Sequence, residues 1–291
     1  MTPRILPSLW CCLYFLLFSA DIINEAIILL IDFHTHCFPD KLAEKAIERL
    51  SYVSGGLKPN TDGSLEGLRR SMRSGKVDVS VVLNIATNAH QQASVNSFAE
   101  SINNNKDIIS FGSVFPFAED ALERLEEIKA MGLKGVKLHP DYQGFEVNDI
   151  RLKPLYRKIS ELGLITVFHA GLDYGFAPPY GATPEKLAQA IDWFDSPVVA
   201  AHWGGLGCGE GVLEHLCGKE LYFDTSFGYG QMPRYYAQKI IERHGTDKIL
   251  FGTDTPWHTP EMELTLLITL NLSEIEMDKI THLNAQKLLG L

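Results

Sequence analysis

Past residue 30 the chain alternates two kinds of segment. Short runs of Val, Ile, Leu and Phe give way to longer stretches whose apolar residues return every three or four positions. The first kind reads as strand and the second as amphipathic helix. Strands are predicted over Ile27–His34, Val77–Ala86, Ile108–Pro116, Gly135–His139, Leu164–Ala170, Pro197–Trp203, Leu221–Phe227 and Ile249–Asp254. Several are apolar at nearly every position, as expected of strands covered on both faces. Helices are predicted over Lys41–Leu50, Ala89–Asn104, Ala121–Met131, Pro154–Leu162, Pro184–Phe194, Val212–Leu216 and Pro233–His244, and the stretch from Ser273 to Leu289 closes the chain. Two helix starts are marked. Thr183-Pro184-Glu185 offers an N-cap, a proline at the first helical position and an acid in the first turn. Ser273-Glu274-Ile275-Glu276 is a capping box. With no linker, repeat or low-complexity tract to divide it, the pattern predicts an α/β chain folded as one (β/α)8 TIM barrel over residues 30–291.

Residues 1–29 read differently. Arg4 precedes an apolar run, Leu9–Phe18, and then Ser19-Ala20. That order resembles a signal peptide, although Phe18 fits poorly three residues before a cut after Ala20. The run is shorter than the roughly 20 apolar residues that span a bilayer, so a membrane-anchored form is the lesser reading. A competing account places the true start at Leu29 or Leu30, ahead of the first strand. The expectation is a dispensable apolar extension on a cytoplasmic protein, with export as the alternative.

Charge and cysteine content narrow the picture. With 36 acidic and 26 basic residues the net charge is −10, which argues against a nucleic-acid partner, because phosphate binding wants clustered Lys and Arg. Arg69, Arg70 and Arg73 read as a solvated helix face. Cys11, Cys12, Cys37, Cys208 and Cys217 form no CxxC pair, so neither a zinc ribbon nor a disulfide framework is indicated. Cys37 reads as a small buried filler beside the first histidine motif.

Candidate chemistry gathers at the strand ends. The first strand ends Asp32-Phe33-His34-Thr35-His36; residues two apart share a face, so His34 and His36 both point to the barrel axis and can chelate one cation. Alone, a His-x-His is a weak signal. The fifth strand ends at His169, the sixth at His202 and the eighth at Asp254, on the face where barrels of this kind place their catalytic groups. Four strand ends carrying metal-ligand residue types are hard to obtain from packing alone.

These motifs resemble the amidohydrolase superfamily. Gly135-Val136-Lys137-Leu138-His139-Pro140, Phe168-His169-Ala170-Gly171 and Phe251-Gly252-Thr253-Asp254-Thr255-Pro256 are similar to its amidohydrolase-related branch, which includes the aminocarboxymuconate-semialdehyde decarboxylase relatives. The closing Asn284–Leu291 segment resembles the branch's last helix, so the likeness covers the chain from about Leu30. It implies that His34, His36, His169 and Asp254 surround a divalent metal, and that His202 and Asp254 are the catalytic acid/base groups. Zinc is the first expectation, manganese or iron the alternatives, and one ion is favoured over two. Lys137 is left open between a carboxylated bridge of two metals, a point charge for a substrate carboxylate and a partner for Asp141. His139 is expected to be a loop or supporting group.

The pocket wall is expected from the long loop Leu172 to Ala182 with Tyr174, Phe176 and Tyr180, and from Trp203, Trp257 and His258, each of which reads equally as a packing aromatic. The leading function is a metal-dependent hydrolase using activated water on a small amide, ester or lactone. A non-oxidative decarboxylase with the same ligands is the alternative, and an inactive barrel serving as a binding protein is the third reading. The expected partner is a small-molecule substrate, with neither nucleic acid nor membrane; a homodimer is held open as the commonest assembly.

Overall fold

The computed structural model describes residues 29–291. The signal-like run and the first two residues of the predicted first strand lie outside the described residues. Eight parallel strands follow: β1 (Ile31–Thr35), β2 (Val79–Leu83), β3 (Ile108–Phe111), β4 (Gly135–Leu138), β5 (Ile165–Phe168), β6 (Val198–Ala200), β7 (Tyr222–Asp224) and β8 (Ile249–Leu250). They hydrogen-bond in sequence order, β1 to β3 and β4 to β8. Two seams close the ring. Gly112 pairs with Val136 between β3 and β4, and Thr35 pairs with Thr255 between β1 and the end of β8. The Phe33 N–H donates to the Phe251 carbonyl at 2.8 Å across that second seam. The fold is the (β/α)8 barrel.

Its apolar residues divide into two clusters. One fills the ring with Ile31, Phe33, Val81, Leu83, Ile109, Phe111, Ile165, Val167 and Val199, and the last helix contributes Ala285 and Leu289. The larger one lies between strands and helices and includes Leu125, Val136, Leu155, Phe168, Val212 and Ile240. Alternation along each strand sends successive residues to one cluster and then the other.

The helix starts form as predicted. Thr183 caps the helix Pro184–Ala190, and Ser273 and Glu276 cap each other's backbone at Glu274–Asp278. Two helices, Leu65–Gly75 and Pro260–Ile268, were not expected from the pattern. The first has a narrow buried stripe, Leu68 and Met72, within a strongly charged sequence, and the second is apolar on several faces. The expected strand Ile249–Asp254 is shorter: regular pairing ends at Leu250, and beyond it the chain meets β1 only through single contacts, the Phe33 N–H to the Phe251 carbonyl and the Thr35–Thr255 bridge. No helix among the described residues is long and apolar enough to cross a membrane.

Candidate metal centre

Three donor atoms meet at the C-terminal mouth of the barrel. His34 Nε2 and His36 Nε2 are 3.2 Å apart, and Asp254 Oδ1 lies 3.3 Å from the first and 3.1 Å from the second. A slip in the ladder makes this possible. Phe33 points into the apolar interior, so strict alternation would send His34 to the helix side; the β1–β2 register shifts between Asp32 and Thr35, as at a β-bulge, and re-aims the histidines. On the neighbouring strand, the end of β8 must come close. A Cβ on Gly252 would stand 2.9 Å from the Cβ of His34, so glycine lets the two strands approach.

Each donor is held from behind. His34 Nδ1 bonds Asp224 Oδ2 at 2.8 Å, and His36 Nδ1 donates to the Leu83 carbonyl at 2.8 Å. These bonds direct both Nε2 atoms at the cluster, which is how histidine ligands are oriented. The Asp254 N–H donates to the His34 carbonyl at 2.8 Å. Asp32 accepts from the His34 N–H at 3.2 Å and from the Thr253 N–H and hydroxyl, tying β1 to β8; burial pushes its carboxyl up to about 8. His202, Trp203, Phe227 and Asp254 all have positive φ near the mouth, a concentration of backbone strain at one site.

Burial also sets the charge states. It holds His34, His139, His169 and His202 well below the usual imidazole pKa, with neighbouring Lys137 and histidines adding to the effect. Neutral imidazoles are the form that binds a metal. Burial raises Asp254 above the usual carboxylate range, opposed by His36, and pushes Lys137 down to about 8. Two imidazoles and a carboxyl group aimed at one point fit a divalent cation in residue type and in position.

The family model described as amidohydrolase matches residues 31–291. The chain belongs to the amidohydrolase family. No curated protein sequence matches it. Among solved structures, an uncharacterized TIM-barrel protein from Bordetella bronchiseptica is similar at 22% identity and TM-score 0.72, covering 90% of this chain and 99% of its own. The 5-carboxyvanillate decarboxylase of Sphingomonas paucimobilis is similar at 14% identity and TM-score 0.66, covering 91% and 100%. A protein provisionally assigned as 2-pyrone-4,6-dicarboxylic acid hydrolase from Acinetobacter baumannii, with citric acid bound, is similar at 18% identity and TM-score 0.64, covering 91% and 100%.

Within this amidohydrolase the other predicted residues are placed as follows. His169 stands next to the triad but outside it. Its Nδ1 lies 3.1 Å from His202 Nε2, and its Nε2 lies 3.1 Å from the Leu172 carbonyl. His202 Nδ1 is anchored at Ser226, 2.9 Å from the hydroxyl, and its ring centre is 5.0 Å from that of His34. Lys137 is fully buried, with Nζ 3.4 Å from His34 Nε2. It forms no ion pair with Asp141, which instead accepts from the Gly181 N–H at 2.9 Å. His139 is no loose loop group: its ring stacks on His169 at 4.1 Å and its Nε2 lies 3.2 Å from Asp173 Oδ2.

Among the expected wall residues, Trp203 is 1% exposed and belongs to the core, packed beneath the loop at Gly228. This is the packing role, one of the two readings its sequence position left open. Tyr174 is exposed on the long loop, near Phe227, and donates to Gln231 at 2.6 Å. Phe176 packs on Tyr142 and lines an outer cleft with Asp141 and Arg151. Tyr180 and Trp257 are half-buried. Asp224 and Ser226 were missed. Asp224 ends an apolar run just as Asp254 does, so the same signal could have found it.

Proposed function

We propose that this amidohydrolase binds one divalent metal ion, zinc first and manganese or iron otherwise, and hydrolyses an amide, ester or lactone bond in a small molecule. The observation that carries the reading is the meeting of His34 Nε2, His36 Nε2 and Asp254 Oδ1 within 3.3 Å of one another. His169, whose Nδ1 lies 3.1 Å from His202 Nε2, would be the fourth donor in this reading. When bound, the ion acidifies water and polarises a substrate oxygen. Asp254, whose burial favours the protonated form, accepts the proton from the attacking water and returns it to the leaving group. His202 would hold a proton on Nε2 against a substrate oxygen while Nδ1 stays anchored at Ser226.

Lys137 favours a second reading, decarboxylation. A buried ammonium 3.4 Å from His34 Nε2 suits a substrate carboxylate placed at the metal, and the 5-carboxyvanillate decarboxylase shares the fold. In that case His202 and Asp254 handle the proton that replaces CO₂. Turnover of candidate lactones, amides and aryl carboxylates in ¹⁸O- and ²H-labelled water separates the two. Solvent oxygen in the product means hydrolysis. Release of CO₂ with solvent hydrogen at carbon means decarboxylation and removes the first reading.

A further inference from the structure

Beyond the metal triad and the pairs His34–Asp224 and His139–Asp173, a further histidine–carboxylate pair stands near the mouth, His258 and Glu263. Glu263, in the helix Pro260–Ile268, is 0% exposed. Its carboxyl accepts from the Gly228 N–H at 3.0 Å and from the Tyr229 N–H at 3.1 Å, and shares a proton with His258 Nδ1 at 2.5 Å. These donors offset part of the cost of burying the carboxyl. Where the acid supplies the proton shared with Nδ1, His258 carries its own proton on Nε2. Burial favours that arrangement by raising Glu263, with His258 and the two backbone donors opposing the rise.

His258 is itself 6% exposed, and Nε2 takes no hydrogen-bond partner among the described residues. Its ring stacks on Phe227 at 4.2 Å and 19°. The same Phe227 ring stands 6.5 Å from His202 and 6.1 Å from Tyr174, so His258 sits on the rim shared with the catalytic histidine and the long loop. It is also near enough to Asp254 for its charge to bear on that carboxyl. An almost wholly buried imidazole, locked at one nitrogen and bare at the other, keeps one hydrogen-bonding position unspent.

We propose that His258, locked by Glu263, anchors an anionic group of the substrate, a carboxylate, beside the metal triad. The assignment rests on the metal-enzyme reading above. It divides the substrate between two grips: the reacting bond at His34, His36 and Asp254, and a carboxylate at the Phe227–His258 rim.

The test uses the zinc-loaded full chain and benzoate as probe, with affinity read by isothermal titration calorimetry and zinc content by elemental analysis. His258→Asn keeps an amide N–H for Glu263 and deletes Nε2. Benzoate should bind the wild type and bind H258N about tenfold more weakly, the loss of one charge-assisted hydrogen bond, with zinc content unchanged. Benzamide, of the same shape without the charge, should bind the wild type at least tenfold more weakly than benzoate, which tests the idea even if H258N does not fold. Equal affinity of H258N and wild type overturns the proposal and leaves the carboxylate to the metal or Lys137. So does wild-type protein that binds benzoate no better than benzamide, or that binds neither. Loss of zinc from H258N also overturns it, by placing His258 among the metal-holding groups. Failure of the wild type to take up zinc is a separate result and counts against the metal reading alone.

Discussion

Asp224 Oδ2 and His34 Nδ1 are 2.8 Å apart, and both side chains are almost wholly buried. This one bond decides which nitrogen of His34 faces the donor cluster. Asp224 also accepts from the His202 N–H at 3.0 Å, so a single carboxylate sets both histidines. Replacing it with asparagine keeps the shape but loses the charge that fixes the His34 tautomer. Asp224→Asn should weaken zinc binding about 10- to 100-fold, the usual effect of losing such a supporting partner, in a protein that remains folded. Competition with a chromophoric chelator measures this, and an unchanged affinity would refute the orienting role.

Metal binding should be stoichiometric and should stabilise the fold. One ion per chain is expected by elemental analysis, falling well below one in His34→Ala. At about 100-fold saturation a ligand of the folded state adds about 2.7 kcal/mol, so chelation should lower Tm by roughly 5–10 °C in a domain of this size. A chain that never carries metal, with a Tm indifferent to chelator, would point to the inactive-barrel reading.

The contact between Gly252 and His34 predicts a local lesion. An alanine there would put its Cβ 2.9 Å from the Cβ of His34 and 3.3 Å from that of Ser226. Gly252→Ala should cost about 1–3 kcal/mol through overpacking and should weaken metal binding by displacing His34. Gly211→Ala is the control: it lies in the helix Gly209–His215 and meets only ordinary contacts at 3.4 Å or more. Denaturant titration should show that change to be neutral or slightly stabilising.

Cys37 is 4% exposed within the core, and burial pushes its thiol up to about 12. At pH 8 its thiolate fraction is about one part in ten thousand. Iodoacetamide followed by peptide mass spectrometry should leave Cys37 unmodified in the native protein and modify it fully in denaturant. Half-buried Cys208 should react sooner in the native state. Prompt native labelling of Cys37 would show that the mouth opens more widely than the structure indicates.

Much of the barrel was legible because its strands are short apolar runs and its helix starts carry local caps. The runs ending at His169 and His202 declare themselves by where the apolar stretch stops. The helix Leu65–Gly75 did not, since its buried stripe of Leu68 and Met72 is outnumbered by charge. Trp203 illustrates the same limit. An aromatic after a strand reads equally as wall or core, and the tertiary packing, with Gly228 set against its indole, decides for core.

By itself, the sequence determined the strand–helix alternation and the placement of histidine and aspartate at strand ends, because both are written within a few consecutive residues. The tertiary structure alone decided that Asp224 backs His34 across 190 positions, that a ladder slip turns His34 inward, that His169 faces His202, and that Glu263 locks His258 against Phe227. Those outcomes depend on ring closure and on the packing of segments remote in the chain, and local periodicity carries no record of which remote groups will meet.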